Sequence, residues 1–542
     1  MKLNLKSLKD LKSWEDNGFE LPKYSIEEVR ARTRENPQWV HFGPGNIFRA
    51  FVARIHDELL DRGIVNTGII VAKTTNPDTL DSVFSAYDNL STSVTLKRDG
   101  NIDMRVVGCI AETVKANQNI SNQWERMQAI FSEPSLQFAS MTITEKGYNI
   151  QDLDGEFTPQ VKSEMQDPKL ESSNSMGLMC LLLYARYQAG KFPITMVSMD
   201  NVSHNGSLLR ESILAYAKAW TEAGYIDRDF YDYVNDESVV SFTWSMIDKI
   251  TPAPDPEIAE ILRRKNYEDV GFSEINPKAK PSFANAEETE YLVIEDRFTN
   301  GRPAWEEGGV IFTDRETVDR AETMKVTTCL NPLHTALAIY GCLLGYDKIN
   351  AEMQDQDLVN LIKGIGYREG LPVVVDPKIL DPKEFIDEVI NERFPNPFLP
   401  DTPQRIATDT SQKLSVRYGK TLQEYQKRYP DKIADLEFIP AVIAGWFRYM
   451  LAVDDQGKDM SLSPDPMLKT LQEALAEIEF GKDSSQTTDI LTSILNNQEL
   501  FGVDLVECGL ADKIIANFYK LNQGPGAVRK FLQELPRVYV LE

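Results

Sequence analysis

Histidine and cysteine are scarce in this sequence, and their spacing limits the kinds of site that the chain can build. Four histidines and five cysteines are spread over 542 residues. The cysteines lack the paired spacing of a zinc site or a disulfide framework, which is typical of a protein in a reducing compartment. The histidines form no H-x-x-x-H pair, so a zinc alcohol dehydrogenase is disfavoured. We therefore expect a cytoplasmic protein without a metal site.

Long runs of basic or apolar residues are absent too. The formal net charge is -25 and no segment is rich in Lys and Arg, whereas nucleic-acid binding needs a basic footprint. No apolar run could span a bilayer, and residues 1–6 lead to no apolar core of a signal peptide. We therefore expect a small-molecule substrate, no nucleic-acid or membrane partner, and a monomer or small homo-oligomer.

A glycine turn joins a predicted strand to a predicted helix near the N-terminus. The strand is Trp39–Phe42, and apolar residues recur with helical period from residue 47 to residue 59. This is the context of a dinucleotide fingerprint, in which glycines let the backbone approach a pyrophosphate at the helix N-terminus. Phe48 stands where the full fingerprint has a third glycine, so a plain strand–helix turn is the alternative interpretation. The candidate cofactor contacts here are Gly43, Gly45, Asn46, Ile47 and Phe48.

The next predicted strand, residues 68–72, ends in Lys73 instead of an acidic residue. An acidic residue at this point binds the adenosine ribose and selects NAD. Lys73 could equally meet the 2′-phosphate of NADP, or remain in solvent. NAD is the first expectation for the cofactor, and NADP stays open.

Further strands are predicted at residues 94–96, 106–107, 138–143 and 194–199, with helices between several of them. Alternating strands and helices predict a parallel sheet, which binds ligands at the carboxyl ends of its strands. Polar clusters follow two of these strands, at residues 144–148 and 200–206. Thr144 and Glu145 are candidate cofactor contacts, although ordinary turn chemistry is the alternative for both clusters.

The stretch from Lys325 to His334 brings an amine, a carboxamide and an imidazole within ten residues. Asn is a preferred N-cap and Pro is favoured in the first helical turn, so a helix is predicted to begin at Asn331-Pro332. Asn331 and His334 would share one face of that helix, and Lys325 would precede it. A surface lysine beside a capped helix start is the alternative interpretation.

Two domains are expected, because 542 residues exceed a single core. Prolines between residues 252 and 281 mark the approach to a boundary. The predicted fold is α/β, with a Rossmann-type domain over residues 1–286 and a mostly α-helical domain over residues 287–542. Candidate helices in the second half are 333–344, 355–364, 384–393, 402–417, 436–452 and 467–479.

Taken together, these motifs resemble the polyol-specific long-chain dehydrogenases and reductases, which include mannitol 2-dehydrogenase, fructuronate reductase and tagaturonate reductase. Fructuronate reductases are the most similar, through residues 144–148, 300–303 and 411–413. The resemblance spans residues 41 to about 466, and it is carried by residues 43–50, 142–148, 200–206, 246–252, 293–303, 325–334, 393–397, 411–414 and 445–449.

This resemblance implies hydride transfer between a nicotinamide and a carbon of a sugar acid or polyol, in a metal-free cleft between the two domains. It implies that Lys325 is the general base and that Asn201 and Asn331 hold the oxygen that becomes a carbonyl. The remaining residues that it places at the substrate are His334, Asp248, Asn205, Arg405 and Lys413.

The residue chemistry is compatible with these roles. A lysine can act as a base near neutral pH only if burial or nearby cations lower its pKa. Arg405 and Lys413 would lower it and would also attract a uronate carboxylate, whereas a solvated helix face is the alternative for both. Of the histidines, His41 and His56 are expected to be structural, and His204 to hydrogen-bond within its loop.

One feature departs from the family, because Lys325 and Asn331 are one residue farther apart than is usual. On a continuous helix, one extra residue would rotate the lysine by about 100°. Either a one-residue bulge absorbs the extra residue, or the helix begins at Asn331.

The leading hypothesis is an NAD(P)-dependent reductase that interconverts D-fructuronate and D-mannonate. A mannitol 2-dehydrogenase or a tagaturonate reductase is the alternative within the same class. From other classes, an epimerase or isomerase that retains its nicotinamide and a non-catalytic nucleotide sensor stay open.

Overall fold

The chain divides into two units in the computed structural model. The structure describes residues 1–152, 154–167, 172–271, 280–482 and 484–539. The first unit comprises Met1–Lys97 and Asn101–Asp319, and the second comprises Arg98–Gly100 and the chain from Arg320 onward.

The strands of the described residues belong to three sheets of the first unit. They are β1 (Phe19–Glu20), β2 (Trp39–Phe42), β3 (Ile69–Lys73), β4 (Ser91–Leu96), β5 (Ile102–Val107), β6 (Ile110–Lys115), β7 (Phe138–Met141), β8 (Ile194–Ser198), β9 (Val240–Thr243), β10 (Ser245–Asp248), β11 (Phe283–Glu287), β12 (Tyr291–Glu295) and β13 (Ile311–Thr313).

The largest sheet has the strand order β6-β3-β2-β7-β8-β9, and every pair in it is parallel. If the six strands are renumbered 1 to 6 in chain order, beginning with β2, the order across the sheet is 3-2-1-4-5-6. This is the order of a doubly wound dinucleotide-binding fold. The parallel sheet predicted from the sequence is therefore confirmed. The strand order reverses beside β2, so the ligand crevice of such a fold lies at the carboxyl ends of β2 and β7.

Both faces of this sheet are covered, as a parallel sheet requires. Val40 and Ile70 point into one buried apolar cluster with helix residues such as Phe131. Trp39 and Val71, the alternate residues of the same strands, point into a second buried cluster. Successive side chains of a strand face opposite sides, which explains why β2 and β3 read as continuous apolar runs.

The strands predicted at residues 94–96 and 106–107 were expected in the parallel sheet, and this expectation is wrong. They lie in β4 and β5, which pair antiparallel from Ser91↔Val107 to Leu96↔Ile102. Only residues 97–101 connect them, and a parallel crossover needs a dozen residues or more. The four-stranded sheet that contains them has the order β1-β5-β4-β11.

The division into units falls later than the predicted boundary after residue 286. β11 pairs with β4, and β12 pairs with both β10 and β13. These pairings hold the chain through residue 313 in the first unit, and the division falls between Asp319 and Arg320. Proline content marked a change in local structure here, but it could not reveal these long-range pairings.

The α-helices follow the predicted alternation in the first unit and make up the named elements of the described second unit. They are α1 (Leu11–Glu15), α2 (Ile26–Glu35), α3 (Ala53–Asp61), α4 (Thr79–Val83), α5 (Ser121–Ser132), α6 (Pro159–Gln166), α7 (Ser175–Gly190), α8 (Asn205–Glu222), α9 (Asp229–Asn235), α10 (Pro256–Arg264), α11 (Arg315–Met324), α12 (Asn331–Leu344), α13 (Ile349–Glu352), α14 (Gln356–Lys363), α15 (Pro382–Glu388), α16 (Pro403–Ile406), α17 (Thr410–Leu414), α18 (Lys420–Arg428), α19 (Phe438–Met450), α20 (Leu468–Ala474), α21 (Ser485–Leu495), α22 (Gln498–Phe501), α23 (Ala511–Leu521) and α24 (Ala527–Glu534).

Short 3-10 and π segments interrupt or extend these helices. The 3-10 segments are Ser7–Lys9, Ser85–Tyr87, Glu145–Gly147, Trp305–Gly308, Leu371–Val373 and Pro430–Asp435. The π segments are Phe48–Val52, Lys325–Cys329, Gly364–Gly370, Val389–Arg393 and Ser415–Gly419. A π-turn accommodates one extra residue in a helix and is frequent at functional sites. The helix predicted at 402–417 is correspondingly broken into α16, α17 and part of a π segment.

Candidate active site

A cavity of about 250 Å3 opens at the carboxyl ends of β2, β3 and β7. Four of the predicted cofactor contacts line it: Gly43, Gly45, Lys73 and Thr144. Its position at the reversal of strand order is where doubly wound folds bind dinucleotides.

The glycine turn gives this cavity a shape that suits a pyrophosphate. Gly43 has a φ of +77°, and a Cβ there would lie 2.4 Å from the carbonyl oxygen of Thr142. Gly45 is exposed, and a Cβ there would have the Gly43 oxygen as its one described neighbour within 4 Å, at 3.8 Å. A side chain at this position would therefore occupy open space beside the turn. Helical backbone begins at Asn46, and the first N–H groups of a helix have no partner within it. The turn therefore fits the phosphates of a dinucleotide.

Asp200 holds the loop on the far side of the cavity. Its carboxylate accepts hydrogen bonds from the N–H groups of Ile143 and Thr144, both at 2.9 Å, and from the hydroxyl of Tyr148 at 2.5 Å. Thr144 has a φ of +64°, a strained conformation for a β-branched residue. Burial raises the pKa of Asp200, against the effect of the three hydrogen bonds. The carboxylate thus stabilises an unfavourable loop conformation.

Lys73 ends β3 with its amine at 2.7 Å from the hydroxyl of Thr79. Burial lowers the pKa of this amine. Beside it, Thr74 and Ser175 share a hydrogen bond of 2.7 Å. Among the described residues that line the cavity, there is no carboxylate.

The side chains of two predicted contacts are buried and interact within the protein. Phe48 is fully buried and stacks on His41, with ring centroids 3.9 Å apart. The amide of Asn205 donates to the carbonyl oxygens of Asp200 and Ser245, both at 3.0 Å, and accepts from the Ser245 N–H. Asn205 therefore joins the end of β8 to β10, and its side chain is fully buried.

The other predicted residues of this unit occupy varied positions. Asn46 donates to the carbonyl oxygen of Pro252 at 3.3 Å, Ile47 packs partly against the core, and Glu145 is exposed. Asn201 is exposed after the end of β8, and Asp248 is buried at the end of β10.

His41 and His56 have the structural roles that were expected, whereas His204 pairs with a residue outside its own loop. His41 lies at hydrogen-bonding distance from Ser140 and Thr142, at 2.8 and 3.0 Å. His56 meets the carbonyl oxygen of Thr67 at 2.8 Å. His204 contacts Asp319 at 2.9 Å, and its ring stacks on a tryptophan.

In the second unit, Lys325 is only 2% exposed and begins a π segment. The N–H of Leu330 donates to the Lys325 carbonyl oxygen at 3.1 Å, which is the i to i+5 bond of a π-turn. Both features that were expected as alternatives are present, because a π-turn at Lys325 takes up one extra residue and α12 begins at Asn331. Lys325 therefore precedes α12, as expected, and it does so within a π-helical segment.

The helix that carries Asn331 begins where it was predicted, but Asn331 does not cap it. Leu330 is the N-cap, with φ -124° and ψ -63°, and no side chain accepts a hydrogen bond there. Asn331 is instead the first residue of α12, with Pro332 in the first turn, where a missing N–H is tolerated. Proline disfavours helical backbone at the residue before it, which is Asn331. The non-helical residue is instead Leu330, one position earlier.

His334 lies on α12 in a polar but largely buried environment. Its Nε2 is 3.6 Å from a carboxylate oxygen of Asp401, and its ring centroid is 4.9 Å from that of Phe394. This Nε2 has no hydrogen-bond partner among the described residues. Burial lowers the pKa of His334 to about 4, because the attraction of Asp401 is weaker than burial and is opposed by nearby arginines. The imidazole is therefore neutral near pH 7.

The two predicted cationic contacts differ in their surroundings. The side chain of Arg405 is 63% exposed and pairs with Asp401. Lys413 is half-buried and donates to the main-chain oxygen of Thr408. Burial lowers the pKa of Lys413, with a further contribution from Arg417.

Sequence reasoning missed three charged residues around His334. Arg417 donates to the hydroxyl of Thr335, and burial lowers its pKa to about 10. Arg393, only 2% exposed, and Asp401 also lie close enough to affect the pKa of His334. Arg417 follows Lys413 by four residues, so helical spacing alone could have brought it to attention.

The described residues form neither a metal-binding cluster nor a helix that could cross a membrane. In the described ranges, no group of three or more His, Cys, Asp or Glu residues could hold a metal ion. No helix formed by those residues has both the length and the apolar character to cross a bilayer.

The strand order, the glycine turn and the cavity at the sheet's switch point define a Rossmann-type dinucleotide-binding protein. Residues 37–307 match the family model of the mannitol dehydrogenase Rossmann domain, and residues 317–522 match that of the mannitol dehydrogenase C-terminal domain. The chain belongs to the mannitol dehydrogenase family and is an oxidoreductase.

The chain is similar along its length to proteins of known name and structure. It is 48% identical to a D-mannonate oxidoreductase of Thermotoga maritima, over 99% of each chain. A solved D-sorbitol dehydrogenase matches 98% of this chain and all of its own with a TM-score of 0.80 at 26% identity. The mannitol 2-dehydrogenase of Pseudomonas fluorescens, solved with NAD and D-mannitol, matches 98% of this chain and 99% of its own with a TM-score of 0.69 at 26% identity.

Proposed function

We propose that this enzyme interconverts D-fructuronate and D-mannonate with NAD(H), that Lys325 is the general base, and that no metal ion takes part. The similarity to a D-mannonate oxidoreductase over 99% of the chain supports the substrate. NAD is preferred as the cofactor because a family member of known structure binds it.

The observation that carries the mechanism is the position of Lys325. It is 2% exposed, and the π-turn places it just ahead of the helix that presents Asn331 and His334. Lysine is rarely so deeply buried, and π-turns are frequent at functional sites. Proton transfer to and from a substrate hydroxyl supplies a reason for it.

When bound, the nicotinamide accepts hydride from the sugar or donates it back. During oxidation, Nζ of Lys325 takes the proton of the D-mannonate hydroxyl. During reduction, the same nitrogen returns a proton to the carbonyl oxygen of D-fructuronate. The amide hydrogens of Asn201 and Asn331 donate to this oxygen, whose negative charge grows and falls during the reaction.

The remaining substrate residues position the sugar. His334 is neutral, and its unpartnered Nε2 suits a sugar hydroxyl. Asp248 is assigned to another hydroxyl. Arg405 and Lys413 are assigned to the acid end of the sugar, since both carry positive charge and Lys413 is half-buried.

A matrix of substrates and cofactors tests this function. The purified enzyme is mixed with NADH or NADPH and with D-fructuronate, D-tagaturonate or D-fructose, and the nicotinamide absorbance is followed. We expect the highest kcat/KM for D-fructuronate with NADH, and no loss of rate after dialysis against a chelator. A higher kcat/KM for D-fructose would assign a mannitol 2-dehydrogenase activity instead, and for D-tagaturonate a tagaturonate reductase.

A further inference from the structure

Arg417 is a half-buried guanidinium without a carboxylate partner in the described part of the chain. Among these residues, its guanidinium donates a hydrogen bond to the hydroxyl of Thr335. Burial lowers its pKa to about 10. A buried charge is normally paired, because its transfer from water is otherwise unfavourable. An unpaired arginine at this position therefore points to a partner that is not part of the protein.

A second cation lies next to Arg417 on the same helical run. Lys413 precedes it by four residues, and like charges at this spacing repel each other. The amine of Lys413 donates to main-chain oxygens of Ile406 and Thr408, and in the described chain it forms no ion pair, although Asp409 and Asp465 are near enough to raise its pKa. Nearby, the guanidinium of Arg405 is already paired with Asp401.

The contacts of Arg417 connect it to the residues proposed to act on the sugar. Its guanidinium donates to Thr335, and the hydroxyl of Thr335 donates to the carbonyl oxygen of Asn331 at 2.9 Å. Arg417 is also one of the cations that lower the pKa of His334. It lies in the π segment Ser415–Gly419, and π-turns often mark functional sites. An anion beside Arg417 would thus lie near Asn331 and His334.

We propose that Arg417 binds the carboxylate of the sugar substrate and so selects sugar acids over uncharged polyols. A guanidinium presents a planar fork of donors that matches a carboxylate, which an amine does not. Arg405 and Lys413, which are assigned to the acid end of the sugar, would attract the same carboxylate. Arg417 would add the direct contact, since Arg405 is exposed and already paired with Asp401. This inference rests on the proposed function, because it takes D-mannonate as the substrate.

The test compares Arg417→Met with Arg417→Lys and with a matched control, Arg428→Met. Arg428 lies on α18, and its guanidinium pairs at the surface with Glu424 at 3.3 Å. For each protein, kcat and KM are measured with D-mannonate and with D-mannitol. Binding of each sugar to the protein–NADH complex is measured by calorimetry, so that binding is scored without turnover.

We expect Arg417→Met to weaken D-mannonate binding and kcat/KM by about 10- to 100-fold, the usual effect of losing a hydrogen bond to a charged group. D-mannitol binding should change by less than about threefold, since it has no carboxylate. Arg417→Lys should recover part of the loss, and Arg428→Met should behave as the wild type. Thermal unfolding identifies any variant that fails to fold, in which case Arg417→Lys alone decides the comparison.

Other results would overturn the inference. Equal losses for D-mannonate and D-mannitol would mean that Arg417 only supports the structure around Thr335. Unchanged D-mannonate binding in Arg417→Met would exclude a contact with the carboxylate. A wild type that oxidises D-mannitol but does not bind D-mannonate would contradict the proposed function itself. The wild type is therefore measured with both sugars before any variant is compared.

Discussion

At the scale of single residues, the charge of His334 follows from its surroundings. Burial lowers its pKa to about 4, and Asp401 only partly opposes this shift. As the pH falls, the imidazole of His334 is therefore protonated at a lower pH in the folded state than in the unfolded chain. The contribution of this shift to stability is complete above the unfolded pKa of about 6.5 and is lost as the pH falls toward 4.

This neutral state predicts how the pH profile responds to His334→Asn. Between about pH 6 and pH 9 the imidazole should not change its charge, so the variant should lower kcat/KM for D-mannonate without changing the shape of the profile. The measurement is kcat/KM against pH for both proteins, with circular dichroism to confirm folding. Disappearance of a limb near pH 6.5 in the variant would show that His334 titrates during catalysis.

Motifs identified single residues well where the backbone itself is the functional group. Gly43 and Gly45 line the cavity at the switch point of the sheet, a position that suits the cofactor contact predicted for them. Side-chain roles were harder to predict. Asn205 and Phe48 lie inside the matching motifs, yet their side chains are buried, and burial depends on residues that are distant in sequence. Arg417 was missed because no motif marks an unpaired charge.

At the scale of elements, the turn between β2 and the first π segment is sensitive to substitution. Gly43→Ala would combine a φ of +77° with a Cβ 2.4 Å from the Thr142 oxygen. Gly63→Ala is a matched control, because Gly63 has a φ of +68° but no described atom within 4 Å of the added Cβ. Both should lose roughly 1–2 kcal/mol to backbone strain, and only Gly43→Ala should also weaken NADH binding.

Calorimetric titration with NADH, together with thermal unfolding, separates these two effects. Equal NADH affinities for the two variants would show that the close approach of the turn to Thr142 does not matter for the cofactor.

The loop after β7 gives a second prediction at this scale. In Asp200→Asn, one carboxylate oxygen becomes an NH2 group that faces an N–H donor of residues 143 and 144. Leaving a buried donor unpaired costs about 1–3 kcal/mol, and the strained loop at Thr144 should relax. We expect weaker NADH binding, measured by fluorescence titration, with a smaller effect for Tyr148→Phe. An unchanged NADH affinity in Asp200→Asn would show that this loop does not contribute to the cofactor site.

Periodicity predicted most of the elements that surround the site, but not their irregularities. The strands β2, β3, β7 and β8 and the helices α12 and α19 all overlap their predicted ranges. The π segments were not predicted, apart from the one at Lys325, where the extra residue before Asn331 gave a signal. A π-turn is stabilised by tertiary packing, so local sequence rarely reveals it.

At the scale of the whole molecule, the order of strands and the two family domains establish an oxidoreductase. The predicted boundary after residue 286 was earlier than the division at residue 319, because β11 to β13 pair with strands far back in the chain. The net charge of -25 indicated the absence of a basic surface, but it could not locate the cations around His334.

An oxidoreductase and an epimerase that retains its cofactor differ in their need for added nicotinamide. We expect one NADH to be consumed for each D-fructuronate converted, and no conversion by protein from which cofactor has been removed. The measurement is product formation by chromatography beside the change in nicotinamide absorbance. Conversion of a hexuronate without added NADH, by protein that copurifies with nicotinamide, would assign the epimerase activity instead.

The most direct test of the account is single-turnover reduction of D-fructuronate by NADH in Lys325→Met, beside Lys469→Met as a surface control on α20. If Lys325 transfers the proton, hydride transfer in Lys325→Met should be slower by about 10²- to 10⁴-fold, while NADH and D-mannonate bind within about twofold of the wild type. Lys469→Met should match the wild type. A Lys325→Met enzyme that binds both ligands and reduces D-fructuronate at the wild-type rate would contradict the central claim.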